Sequence, residues 1–358
     1  MNKGFIIGIG CVAAVVAGVV AFQLNQGDDG DGNDSPDSKE VVVDVGAAAF
    51  VPKDVAAFSS TIGLADRCER VWNSNAVQNL MQLPSVQQMW QQAQRHPVYQ
   101  SFLHTAKTHP LAIQGLPVLK DAASNEIFVC AGSDVPEFFH ALTELHGELT
   151  LLQWQAGIAG ATGGAPPQID SPAVAAQLID AVLKKKDKLK APSILMGFRL
   201  SDVDAATEFL NTWLPQLSDT PVGSIKKQEI NGASFYVMEI SASDLPDEIL
   251  DEMTDELQVA GIDPEVAGRL ESFIRGQRLS IAAGVINDYL MLSFGSDQGL
   301  LEQWGKGESL ASSKEFEPLL SRYQDGLASI SYTAASMAPK PMAPEDVEKI
   351  ASNLIAMI

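Results

Sequence analysis

The sequence predicts an α+β fold: two related halves of mostly antiparallel sheet packed with helices, behind an N-terminal transmembrane helix. The first sign is residues 279–304, where apolar runs flank Asn287-Asp288. That pair tolerates positive φ and closes tight hairpins. The second is a repeated order of strand, Ser-Asp and amphipathic helix. It occurs at residues 127–132 before Ser133-Asp134, at 194–200 before Ser201-Asp202, and up to Gly295 before Ser296-Asp297. In each case a side-chain oxygen can cap the helix that follows. The third is residues 4–22, an apolar run without charge that is long enough to cross a bilayer.

Taken in order, residues 1–22 form an anchor or signal segment, and residues 23–50 an acidic flexible tether rich in Gly, Asp, Asn, Ser and Pro. Residues 51–156 are read as a first α+β domain. It opens with a strand over 56–64. Helical periodicity follows through Val71, Val77, Leu80, Met81, Val86, Met89 and Trp90. Pro84, Pro97 and Pro110 divide this region into short helices. Gly157, Gly160, Gly163, Gly164, Pro166 and Pro167 mark a linker over 157–170.

Residues 171–358 are read as a second α+β domain. Pro172 sits at the first position of a helix with Val174, Leu178, Val182 and Leu189 on one face. A strand over 192–200 and a helix over 201–217 come next. Asn231-Gly232 then joins two strands, the strongest short-range hairpin signal in the chain. Residues 247–259 form an acidic helix, and Asp263-Pro264 open another that Gly276 closes. After the hairpin at 279–295 a helix is expected near 313–322, a strand over 328–333 and a last helix over 344–358.

Four stretches resemble, in order, a bacterial envelope family known as domain of unknown function thirty-three fifty-two. They are VPKDVAAF at 51–58, INGASFYVMEI at 230–240, the block 288–320, and the strand ISYTAASM at 330–337. The resemblance covers most of 51–337 and is least over 151–190. It implies a membrane-anchored extracytoplasmic protein with related α/β halves, and it brings no catalytic residues with it.

Charge narrows the function. The net charge of −21 argues against nucleic acid, which needs clustered Lys and Arg. It also argues against adhesion of the whole surface to an anionic bilayer. Lys3 precedes the apolar run, whereas Asp28, Asp29, Asp31, Asp34, Asp37, Glu40 and Asp44 follow it with only Lys39 among them. Positive-inside bias therefore puts the N-terminus in the cytoplasm and the domains outside a single-pass cytoplasmic-membrane anchor. The competing reading is secretion after cleavage near Val19-Val20-Ala21. Lipidation of Cys11 fits poorly, because Gly8-Ile9-Gly10 is not a good lipobox and apolar residues continue past it. Gly4 and Gly8 have the GxxxG spacing that lets membrane helices approach closely, against a chance pairing of small residues.

Few residue sets point to chemistry. Residues 29–40 match some calcium-loop positions, but Asp34 replaces the turn glycine and Pro36 intrudes, so an acidic tether is the better reading. Among His96, His104, His109, His140 and His146 only His140 with Glu144 shares a helix face, and no HExxH or paired CxxC occurs. No metal or cofactor is therefore expected. Cys68 and Cys130 are a candidate disulfide in an oxidising compartment, against two buried free thiols. Lys184, Lys185, Lys186, Lys188 and Lys190 form the one dense basic run. They are either a solvated helix end or a contact for an anionic lipid or polymer. The acidic positions of 247–259 read as the outer face of a packed helix. The resulting expectation is a non-enzymatic binding or structural role in the cell envelope, toward an unknown envelope protein, lipid or polymer. The alternatives are a lipid-handling module and an envelope hydrolase or transferase with an unrecognised site.

Overall fold

The computed structural model describes residues 45–161, 172–217, 224–244, 247–319 and 328–338. The expected membrane segment with Gly4 and Gly8, the acidic run 28–44, most of the Gly/Pro linker and the last helix lie outside the described residues. No helix among the described residues is long and apolar enough to cross a membrane.

Strand β1 (Ala57–Ile62) leads into five consecutive helices: α1 (Leu64–Trp72), α2 (Asn75–Met81), α3 (Pro84–Arg95), α4 (Pro97–Thr108) and α5 (Pro110–Ser124). The prolines that divide this region sit in the first turn of α3, α4 and α5. There a missing N–H costs nothing, and the fixed φ of proline suits the helix start. Strand β2 (Glu126–Ala131) follows, then α6 (Val135–Ala161), α7 (Pro172–Lys184), β3 (Ile194–Arg199) and α8 (Val203–Trp213). Helix α6 carries through Gly157 and Gly160, so the expected linker begins later than its glycines suggest. Next come β4 (Ser224–Ile230), β5 (Ala233–Ser241), α9 (Asp247–Val259), α10 (Pro264–Arg275), β6 (Arg278–Ile286), β7 (Tyr289–Gly295), α11 (Gly299–Glu302) and β8 (Ser329–Thr333).

The eight strands form one sheet in the order β4-β5-β6-β7-β3-β2-β1-β8. Every pairing is antiparallel. Strands β2 and β3, from either side of the expected linker, are hydrogen-bonded neighbours. The strands of the two expected halves therefore lie in a single sheet. The β4–β5 hairpin turns at Asn231 (φ 53°) and Gly232 (φ 77°), and the β6–β7 hairpin at Asn287 (φ 48°) and Asp288 (φ 63°). Positive φ at both central residues is the turn whose twist matches paired strands.

One row of residues crosses the whole sheet: Ile330, Ser60, Phe128, Gly197, Met291, Gly284, Phe235 and Gln228, each opposite the next. The glycines make room for rings. A Cβ at Gly197 would stand 2.0 Å from the Phe128 ring, and one at Gly284 would stand 2.4 Å from the Phe235 ring. The same core stacks Trp304 between Phe50 and Phe128, with centroids 5.2 Å away on either side. Tyr289 meets both Phe128 and Trp304 edge-on at 5.6 Å. Such pairs add to the area they bury.

The Ser-Asp pairs do lie between a strand and a helix, but they act differently from one another. Asp202 Oδ1 accepts from the Ala205 N–H at 2.9 Å, a true cap of α8. Asp134 instead accepts from the backbone N–H and hydroxyl of Ser193, tying the start of α6 to the approach to β3. Asp297 accepts from the Gly299 N–H, one residue ahead of the N-cap Gln298.

Candidate functional site

The expected residues come to lie in separate places. Cys68 is exposed on α1 and Cys130 is buried in β2, and both are free thiols. Cys130 belongs to the sheet's interior core, whereas Cys68 lies on the surface of α1. Burial pushes the Cys130 thiol well above its ordinary range, which keeps it neutral. His140 Nε2 lies 3.2 Å from the Ser336 carbonyl. Among the described residues no cluster of His, Cys, Asp or Glu could hold a metal ion.

The lysine run divides by role. Lys185 is largely covered, with its Nζ 2.6 Å from Glu144 Oε2 and 3.9 Å from Glu148 Oε1, so it ties the end of α7 to α6. Lys184, Lys186 and Lys190 line an open groove of about 860 Å³ between α7 and α10. Asp180, Asp187 and Glu265 line it too, and Arg269 is paired with Asp180 at 2.8 Å. Positive and negative groups are interleaved there, so the groove has no single sign of charge to offer a polyanion.

A buried polar cluster escapes a reading of the sequence. Glu126, 2% exposed at the start of β2, accepts from the Ser60 hydroxyl at 2.5 Å, the Tyr289 hydroxyl at 2.6 Å and the Ala47 N–H at 3.0 Å. Gly46, with φ +56°, lies so close that a Cβ there would be 2.3 Å from Glu126 Oε2. The donors hold the carboxyl in a closed core, so the arrangement is structural.

The largest departure from an ordinary protein surface is the helical layer α1–α5. Each of these helices touches the next, and α1 returns onto α5. Helix α5 fastens the layer to the body. Its Gly115 faces the Phe209 ring, and its Gln114 accepts from the Trp213 indole at 2.7 Å. Further out, α1, α2 and α3 have no fully buried residue, and their inward positions are only partly covered. Val98 (71% exposed), Val71 and Met89 (62% each), Leu80, Leu83, Ile113 and Leu119 face outward. Trp72 and Trp90 join α1 to α3 with ring centroids 6.0 Å apart. Scattered surface leucines are normal, whereas large exposed apolar patches are in general a feature of interaction surfaces.

The charge of the layer also differs from that of the rest of the chain. Between Glu69 and Asp121 there is no acidic residue, although the whole chain has 45 in 358 residues. The same stretch carries Arg70, Arg95, Lys107 and Lys120, together with His96, His104 and His109. The helical periodicity from Val71 to Trp90 was legible in the sequence, whereas the gap in acidity is a signal that reading passed over. That the apolar positions face solvent was not, because periodicity identifies a face without saying what covers it. In comparisons with protein-family models, curated proteins and solved structures, nothing matches the chain.

Proposed function

We propose that this is a single-pass envelope protein that works by binding or scaffolding. In this reading residues 4–22 span the cytoplasmic membrane with Lys3 inside, and the α+β body lies outside. The observation that carries it is the exposed apolar layer α1–α4, a surface suited to docking. The likeness of 51–58, 230–240, 288–320 and 330–337 to the envelope family supports the same placement, as do the acids that follow the apolar run. The recurrence of strand, acidic turn and helix at Asp134, Asp202 and Asp297 supports two related halves merged into one sheet.

The test has two parts. Protease added to intact spheroplasts should digest the folded region of a C-terminally tagged chain and leave a cytosolic control whole. Protection until lysis would refute the orientation. The intact mass of the membrane-extracted chain should include residues 4–22. A mass beginning after Ala21 would replace the anchor with a cleaved signal.

A further inference from the structure

We infer that the helical layer α1–α4 docks onto an anionic phospholipid leaflet, with Trp72 and Trp90 at its interface. The inference rests on the membrane-held reading above and names the partner of that surface. Three observations lead to it.

The first is that these helices are only partly covered by one another and by α5. Helices α1, α2, α3 and α4 have 9, 7, 12 and 12 residues. Isolated helices of that length are marginal in water, and helices in proteins owe their stability to a packed apolar face. Three of these four have no fully buried residue, their inward side chains being only partly covered, so a further surface would complete them.

The second is the choice of side chains. Tryptophans, whose rings are apolar with one polar edge, sit beside exposed Val, Leu and Met on short helices rich in neutral glutamine. Helices that lie in the headgroup region have this make-up, and tryptophan concentrates at that depth.

The third is charge. In a chain of net charge −21 the stretch between Glu69 and Asp121 excludes acids and keeps Arg95, Lys107 and Lys120. An acidic surface is repelled by an anionic leaflet, so a face without acids is favoured to approach one. The same basic groups disfavour pairing of the layer with a second copy of itself.

The experiment reconstitutes the full chain into vesicles of phosphatidylcholine alone, or with phosphatidylglycerol at three parts in ten, each containing lipid brominated high on the acyl chain. Bromine quenches tryptophan only at membrane depth. Wild type should be quenched in the anionic vesicles, and W72F/W90F should lose most of that quenching. R95Q/K107Q should lower the docked fraction on anionic vesicles, by about fivefold in the docked-to-free ratio for each charge, and change little on neutral ones. Equal quenching of wild type and W72F/W90F would overturn the inference, as would no quenching with crosslinks between Lys107 and Lys120 of two copies. A carbonate wash separates the two readings. If the chain resists carbonate and is not quenched, docking fails and the anchor stands. If carbonate releases the chain but vesicles still quench Trp72 and Trp90, the anchor fails and docking stands.

Discussion

Tyr289 donates its hydroxyl to Glu126 Oε2 at 2.6 Å, from β7 to β2, with β3 lying between those strands. The two residues are 163 apart in the chain, so this bond, like the β2–β3 pairing, fastens the early strands to the late ones. Removing Glu126 would strand the hydroxyls of Ser60 and Tyr289 and the Ala47 N–H in a closed core. E126A should therefore cost about 3 kcal/mol or more in urea unfolding, and Y289F about 1 kcal/mol, since Glu126 keeps its other donors. A double-mutant cycle should show coupling between them. An E126A protein within about 0.5 kcal/mol of wild type would mean the cluster contributes nothing.

Gly197 tests the row that crosses the sheet. An added methyl would press into the Phe128 ring and stand 2.9 Å from Met291 Sδ. G197A should lose about 1–3 kcal/mol by overpacking. Gly268 in α10 is the control, with nothing within 4 Å of an added Cβ. G268A should gain up to about 1 kcal/mol from helix propensity. Similar effects at both positions would show that the close approach of Phe128 is not what selects glycine.

The cysteines predict both labelling and pH dependence. In the native chain without reductant, iodoacetamide should modify Cys68 and leave Cys130 until the fold is opened, as read by peptide mass. Protection of both until reduction would restore the disulfide. The burial that raises the Cys130 pKa also has a sign for stability. Below the ordinary thiol range near 9 both states hold the proton, and this contribution to stability is fully present. Above it the unfolded chain loses the proton while the folded chain keeps it, so stability falls by up to about 1.4 kcal/mol per pH unit from this group. C130A should remove that share of the alkaline slope.

Lys185 should behave unlike its neighbours. K185Q breaks the ties to Glu144 and Glu148 and should cost about 1 kcal/mol, because the lysine is largely covered. K184Q and K190Q, whose side chains line an open groove, should stay within about 0.5 kcal/mol of wild type. Thermal unfolding of the three variants distinguishes a structural lysine from solvated ones.

Local signals in the sequence survived folding well. Asn231-Gly232 and Asn287-Asp288 close their hairpins because positive φ at adjacent residues leaves few alternatives. Pro84, Pro97 and Pro110 mark helix starts for a similarly local reason. What the sequence left open was long-range. The pairing of β2 with β3 depends on register between distant strands, and no local pattern in residues 157–170 reveals that the sheet continues across them. Cys68 and Cys130 were open to a disulfide or to two buried free thiols, because the sequence does not say which face each occupies; Cys68 is exposed and Cys130 buried. Nothing local singles out Glu126, since its donors Ser60 and Tyr289 come from other strands.

The central claim is that α1–α4 form the working face of the molecule, toward an anionic membrane. Hydrogen–deuterium exchange of the full chain tests it most directly, in nanodiscs of phosphatidylcholine alone and in nanodiscs containing phosphatidylglycerol. The account predicts that amides of residues 64–108 exchange at least about tenfold more slowly on the anionic discs, as expected when marginal helices gain a surface. Amides of β2, β3, β6 and β7 should not change. Equal exchange of residues 64–108 on both discs, at the rate of short unsupported helices, would contradict it.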